Sequence, residues 1–475
     1  MGTFVLVVTA LVFSILTPNT LLLIFFVPLA VILSNSQLIP SLYESGNANI
    51  TLQDILIIFV LIRLCISNSQ SINNKSVNIN RFIIYILNNK LVFLLRKMIF
   101  IFYLLLLIAS IIAYFRFGSE VFFGEIISLI RFAIQITIFF LVDYFSSLEG
   151  RIKKSHRFLK ITGYAICISA YMSYILYVLF GIKFGEVQDS RGTVRFFGPL
   201  GDQLGFIVSF FCFQQVISGQ IILALINGLL VFLTATRGAI LSLCFGIIII
   251  LLIHKNDLNL KYLKKLIFYI AVTTPLLIIF FLSEFGETAL EALLNIWLVV
   301  TERFLNPQVA ETGLMQRELT ITLAFQVFFD NFLIGVGYTG FRFVAPEYED
   351  YRFFPNYIDP SNAVATTNNQ YLQVATDAGI IGLISFLLLM ATSLKLLQKA
   401  GKCASPELQH CFLAARVWLW SQLIGNQGAS WMLPSSLISL LLWIILGLAA
   451  ATLTNELINP ERDRTPIRFL KKQAG

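Results

Sequence analysis

The sequence predicts an all-α, polytopic membrane bundle of about 12–13 spans, with a large outward loop that contains amphipathic helices. Three observations predict this class. The 475 residues are 57% hydrophobic and 13% charged, whereas soluble domains carry about 25% charged residues. Apolar runs of about 20 residues recur along the chain, each long enough to cross a hydrocarbon core of about 30 Å as a helix. The residue-by-residue alternation of an outer-membrane barrel is missing from these runs.

In chain order, spans are expected near 2–17, 19–34, 52–67, 91–115, 121–145, 158–182, 204–218, 220–234, 237–253, 265–283, 371–396, 410–427 and 432–451. The first two are short and meet at Pro18, which reads as a hairpin or one irregular entry. The N-terminus lacks the basic start of a signal peptide, and further spans follow closely. Lysine and arginine then set the orientation. Arg151, Lys153, Lys154, Arg157 and Lys160 fill one loop, and Lys255, Lys261, Lys264 and Lys265 another. Lys395, Lys399 and Lys402 mark a third, and the tail carries Arg462, Arg464, Arg468, Lys471 and Lys472. These four regions are mutually consistent as cytoplasmic, so 183–203, the junction near Thr234–Arg237 and 284–370 face outward. The expected organisation is therefore membrane spans over 1–283, the loop over 284–370, and spans with a cytoplasmic tail over 371–475.

The net charge of +8 is explained by this loop asymmetry and does not call for a nucleic-acid partner. None of the six cysteines falls in the large loop, which excludes a disulfide framework there. His156, His254 and His410 lie at span ends or beside basic loops, which argues against a zinc site in the loop. There is no P-loop and no dinucleotide fingerprint, so the reading is one without metal or cofactor.

A loop as long as 284–370 between spans usually has work to do. Within it, Met315–Phe329 reads as an amphipathic helix, with Met315, Leu319, Leu323 and Phe328 approximating one face and Gly335, Gly337 and Gly340 ending it. Such a helix suits the membrane interface. The aromatic and acidic stretch Tyr348–Pro360 suits stacking on sugar rings, and equally ordinary interfacial packing.

An outward site has no supply of cytoplasmic nucleotides, so its substrate has to arrive already activated. A lipid-linked pyrophosphate sugar meets that need. Its leaving group requires fixed positive charge as negative charge develops, and arginine binds phosphate bidentately while staying charged near lipid. The candidates are Arg191 and Arg195 in DSRGTVRFFGPLGDQ, Arg237 in TATRGAILSL, and Arg317 in GLMQRELT. Arg237 is the most pointed, lying where two apolar runs meet beside Thr234, Thr236 and Gly238. The plainer readings are a snorkelling arginine for Arg237, solvated charges for Arg191 and Arg195, and a surface ion pair with Glu318 or Glu311 for Arg317. Arg131 lies well inside an expected span, where a charge is expensive. Its candidate partners are Glu125 and Asp143, and its expected role is structural or towards a substrate tail.

Together these features resemble the O-antigen ligase and polymerase superfamily of bacterial glycoconjugate assembly. Three pieces carry the resemblance, across about 191–390. They are Arg237 followed by Gly238 and Leu241; Arg317 with the amphipathic helix and NFLIGVGYTGF; and NNQYLQVATDAGIIG, Asn368–Gly382. In the family the last motif usually opens His-Asn, where this chain has Asn368 and Asn369. An asparagine amide does not titrate usefully and cannot act as a general base. It can orient an acceptor hydroxyl or a pyrophosphate oxygen, or cap the helix that follows. Glu311, Glu347, Glu349, Asp350 and Asp202 stay open as bases.

The resemblance implies a multi-pass protein of the bacterial inner membrane with a periplasmic active site. It would act as an inverting, metal-independent glycosyltransferase on polyprenyl-pyrophosphate-linked oligosaccharide. Arg237, Arg317 and Asn368 are the expected catalytic residues, and Arg191, Arg195, Asn369 and Tyr371 the expected substrate-binding ones. Besides that donor and membrane lipid, the resemblance brings in a chain-length regulator and a flippase as partners. Polymerisation of lipid-linked repeats is preferred, and ligation to a lipid or protein acceptor is the alternative. A transporter of a small anion or lipid-linked glycan is the rival from another class, disfavoured by the long outward loop and by the lack of two similar halves. A non-catalytic assembly component is the third reading.

Overall fold

The computed structural model describes residues 19–29, 43–45, 48–50, 56–60, 62, 89–147, 151–182, 186–190, 193–198, 203–234, 236–253, 320–348, 367, 369–425 and 437–458. The expected spans 2–17 and 265–283 lie outside these residues, as do Arg191, Arg317, Asn368 and the basic tail.

Among the described residues, nine helices correspond to nine of the expected spans. They are α1 (Lys90–Phe117), α2 (Ser119–Ser147), α3 (Arg151–Phe180), α4 (Leu204–Ile217), α5 (Ile221–Leu233) and α6 (Arg237–Ile253), then α9 (Gln370–Cys403), α10 (Pro406–Gly425) and α11 (Leu437–Ile458). The loop contributes α7 (Thr320–Asp330) and the short α8 (Phe341–Val344). Five of the long helices are long and apolar enough to cross a membrane. The chain is thus a multi-pass, all-α membrane protein, with the short α4, α5 and α6 filling one side of the bundle.

Two small antiparallel hairpins are added to the expected all-helical plan. Strands β1 (Tyr43–Ser45) and β2 (Ala48–Ile50) pair in one, and β3 (Glu186–Ser190) and β4 (Thr193–Gly198) in the other. The second bridges α3 and α4. A π-turn at Leu22–Phe26 is held where the Thr162 hydroxyl donates to the Ile24 carbonyl at 2.7 Å.

Helix α11 is the axis of the bundle. Its most apolar stretch, residues 437–454, is wholly buried, as expected of a helix that is hydrophobic all round. Phe132, Phe139 and Trp443 pack where α2 meets α11, and Phe102 and Phe386 extend this aromatic core towards α1 and α9. Spans before and after the loop therefore share one core.

The helices alternate in direction. One end of the bundle carries Gly118, the β3–β4 hairpin, the α5–α6 turn, the loop helices, and the starts of α9 and α11. The other end carries the α2–α3 junction with Arg151, Lys153 and Lys154, the end of α6, and Lys399 and Lys402 near the end of α9. The basic end and the loop end are thus opposite faces of the bundle, as the charge pattern requires.

The buried ion pair differs from the one expected. Asp143 pairs with Arg96 of α1 at 2.6 Å, with the two side chains 0% and 11% exposed. Arg131 stands twelve residues from Asp143 on one continuous helix, about 18 Å along its axis, too far to pair. The side chain of Glu125 lies outside the described residues. Replacing Arg96 by Met is expected to cost about 3–5 kcal/mol by leaving Asp143 buried without its cation, and Arg96→Met/Asp143→Leu to recover most of it. Thermal unfolding in detergent measures both, and an unperturbed single variant would show that the pair carries little.

Candidate functional site

The outward end is built from helix starts held to one another by polar contacts. Helix α5 stops at Leu233 and α6 starts at Arg237, with a turn fixed by Thr234 and Thr236. The Thr234 hydroxyl donates to the Val231 carbonyl at 2.8 Å, and the Thr236 N–H donates to the Thr234 hydroxyl at 3.4 Å. Gly205 at the start of α4 packs into this turn, where a Cβ would stand 2.7 Å from Ala239 and 2.9 Å from Thr234. On the same end the Leu437 N–H that opens α11 donates to Gln203 Oε1 at 2.7 Å.

A second line of contacts joins α6 to α9 through α10. Ser242 and Ser421 hydroxyls lie 2.9 Å apart, and Gln422 Nε2 donates to Ser242 Oγ at 2.9 Å. The Tyr371 hydroxyl donates to the Leu423 carbonyl. Ser242 is five residues into α6, so these contacts lie about 7.5 Å along the axis from Arg237.

Asn369 is the N-cap of α9. Its side-chain oxygen accepts from the N–H groups of Tyr371 at 3.0 Å and Leu372 at 3.1 Å, satisfying donors that the first turn leaves orphaned. Asn369→Ala is expected to cost about 1 kcal/mol, and Asn369→Ser to keep most of the cap. Melting temperature checks this, while a raised KM in the stable Ser variant would add a substrate contact to the cap.

The loop is fastened into the bundle at a break in α9. Gly379 takes φ 67° and ψ −166°, so the helix is interrupted there. The break exposes backbone groups, and the turn after α7 satisfies them. Val336 and Gly337 N–H donate to the Thr376 and Asp377 carbonyls at 2.8 and 3.0 Å, and Ile380 N–H donates to the Phe332 carbonyl at 2.8 Å. Backbone meets backbone so closely that a Cβ at Gly335 would stand 2.5 Å from the Thr376 carbonyl oxygen.

This clasp encloses an acidic and a basic side chain. The Asp377 carboxylate is fully buried and accepts from Gln373 Nε2 at 2.8 Å and from the Thr339 N–H. Arg342 of α8 is 2% exposed, lies within electrostatic reach of Asp377, and has its guanidinium 4.6 Å from the Phe343 ring centroid. Tyr338 plugs the bundle beneath, stacked on Phe132 at 5.9 Å, with its N–H donating to Ser110 at 3.1 Å. Burial, with Asp377 adding to it, pushes the Tyr338 phenol far above its ordinary value, so it stays neutral.

Above the clasp, α7 turns Leu323, Ala324 and Val327 onto Val336, Phe341, Val344 and Leu372. Leu323 and Phe328 face inward as expected, and the helix ends at Asp330, five residues before the first of the three expected glycines. Met315 and Leu319 lie outside the described residues. The opposite face exposes Phe325 and Phe329. Arg116 at the end of α1 donates to Asn331, and the Tyr348 hydroxyl donates to Asp330 at 2.8 Å. Burial and this Asp330 contact raise the Tyr348 phenol above its usual range.

Of the expected site residues, Arg237, Asn369 and Tyr371 come to the same end of the bundle, on α6 and α9, which α10 joins. Arg237 is described by its backbone at the start of α6, and Arg195 by its backbone opposite Gln188 in the β3–β4 hairpin. Arg191, Arg317 and Asn368 fall outside the described residues. Sequence reasoning passed over Arg342 and Asp377. The available signal was a lone carboxylate within an apolar span, which is expensive unless partnered.

Residues 222–387 match the family model described as O-antigen ligase. That stretch runs from α5 through the loop to α9, covering both Arg237 and the clasp. No match was found among curated proteins.

Proposed function

We infer, for a chain that carries a domain of the O-antigen ligase/polymerase superfamily over residues 222–387, a membrane glycosyltransferase acting at the outward end of the bundle. Its donor is an oligosaccharide on polyprenyl pyrophosphate. The acceptor hydroxyl attacks the anomeric carbon as the bond from that carbon to the pyrophosphate oxygen breaks. Polyprenyl pyrophosphate leaves with the bonding electrons, and the hydroxyl proton passes to a base. The reaction inverts the anomeric centre and uses no metal. Arg237 and Arg317 receive the pyrophosphate, Arg191 and Arg195 assist, and Asn368, Asn369 and Tyr371 position the reactants. The protein lies in the bacterial inner membrane with this end in the periplasm, and works alongside a flippase and a chain-length regulator.

The observation that carries the reading is the tie between the starts of α6 and α9. Through Ser242, Gln422 and the Leu423 carbonyl, α10 links the first turns of α6 and α9 at the loop end, which supports the reading that Arg237 and Tyr371 serve one site. Arginine answers the charge that develops on the leaving group, and the fixed helix starts hold reactants in register.

Joining one lipid-linked repeat to another is the preferred reaction. Transfer to a lipid or protein acceptor is the second reading, favoured by the ligase description of the matching family. Purified protein in nanodiscs, given polyprenyl-pyrophosphate oligosaccharide without metal or nucleotide, is expected to build a ladder of longer lipid-linked glycans. Transfer only on adding a lipid core or protein acceptor would make it a ligase. No transfer to any acceptor by folded protein would overturn the glycosyltransferase reading.

A further inference from the structure

At the basic end, opposite the proposed catalytic site, four helices enclose a polar cavity of about 220 Å³. We propose that it is a headgroup site for a phospholipid carrying a primary amine, with Lys160 taking the phosphate and Glu407 the ammonium.

The cavity is smaller than the roughly 300–1,000 Å³ of drug-sized sites, so it suits a headgroup and not an oligosaccharide. Lys160, Gly163, Tyr164 and Cys167 present one stripe of α3 to it, at the i, i+3, i+4, i+7 spacing of a single helical face. Gln214 from α4, Asn227 from α5, and Glu407 and His410 from α10 are among the other residues of the wall. Polar side chains collected within apolar helices are costly and mark a site by default. These are also ordered: Asn227 Nδ2 donates to Gln215 Oε1 at 2.8 Å, and Gln214 lies 3.4 Å from His156.

The charges decide the ligand. Lys160 and Glu407 line the same cavity without an ion pair joining them. A cation and a carboxylate held apart across one void fit a molecule with both charges. A purely anionic headgroup would be repelled by Glu407, and a quaternary ammonium could not donate to it, so the ligand's ammonium carries N–H, as a primary amine does.

The surroundings decide that the ligand is a lipid. Towards the membrane centre the cavity is closed by Phe211 and Cys167, and beyond them the Tyr171 hydroxyl donates to the Ile226 carbonyl. Flanking it, Ile161 and Ile168 of α3 and Ile222 and Ile226 of α5 are exposed. These belong to the apolar belt that faces acyl chains, so a headgroup in the cavity has its chains where lipid already lies.

Native mass spectrometry of the purified full chain, equilibrated with equimolar phosphatidylethanolamine and phosphatidylglycerol, tests the site. The amine lipid is expected to be retained preferentially. Lys160→Ala and Glu407→Gln are each expected to reduce that retention by about tenfold, the loss of one charge-assisted hydrogen bond. Glu407 is exposed, so its Gln variant keeps the test open if the Lys160 variant fails to fold. Thermal stabilisation by soluble glycerophosphoethanolamine, lost in both variants and without lipid retention, would assign the same chemistry to a free solute. Equal retention of the two lipids, or a preference unchanged in both variants, overturns the proposal. Glycan transfer is read separately, because this site lies at the other end of the bundle.

Discussion

Arg237→Ala is expected to lower glycan transfer by about 10²–10³-fold, the cost of removing one preorganised donor to a developing anion. Arg237→Lys is expected to fall between, because an ammonium keeps the charge and loses the planar fork that grips a phosphate. Folding should survive both. The turn before α6 is set by Thr234, Thr236 and the close fit of Gly205, none of which needs the arginine side chain. Rates are compared at equal amounts of monodisperse protein with unchanged melting temperature. Transfer by the Ala variant within about threefold of the parent chain, a change of under 1 kcal/mol, would remove Arg237 from the site.

Gly379→Ala is expected to be the most damaging glycine-to-alanine change among the described glycines, costing more than about 3 kcal/mol. Two effects add. At φ 67° an L side chain is strained. The new Cβ would also stand 2.3 Å from the Leu333 carbonyl, which is backbone and cannot swing away. Relief requires the 332–337 turn to lift off α9, breaking the hydrogen bonds from Val336, Gly337 and Ile380 and withdrawing Tyr338 from its slot. Gly228→Ala is the control, with nothing within 4 Å of its Cβ and a gain of about 1 kcal/mol in helix propensity. Thermal unfolding and protease cleavage within 332–348 report the outcome. A Gly379 variant as stable and protease-resistant as the control would mean that the clasp is not what holds the loop.

The class and the two ends were legible in the chain, because apolar length and the placement of lysine and arginine are local properties. The expected spans 91–115, 121–145 and 371–396 fall within α1, α2 and α9. The inward face of α7 was legible in part: Leu323 and Phe328 are buried as expected, although they stand five residues apart and so on different stripes of the helix.

Partner choice was not legible. Asp143 is one of two candidate partners for Arg131 on its own helix, and in the fold it pairs with Arg96 of α1. Asn369 was read with the substrate, and its side-chain oxygen is engaged in the cap of α9. Arg342 and Asp377 come within electrostatic reach only because the loop folds back onto the broken helix.

The sequence by itself determined that this is a multi-pass helical membrane protein, which ends of its helices carry basic charge, and which stretch interrupts the spans. Tertiary structure alone decided which polar groups face one another: the Arg96–Asp143 pair, the α6–α10–α9 tie, the clasp at Gly379 and the cavity at the basic end. The reason is physical. Hydrophobicity and charge act on each segment against a common solvent and are readable one segment at a time. A buried hydrogen bond or ion pair exists only where two distant backbones approach within about 3 Å, and no local property of either segment encodes that approach.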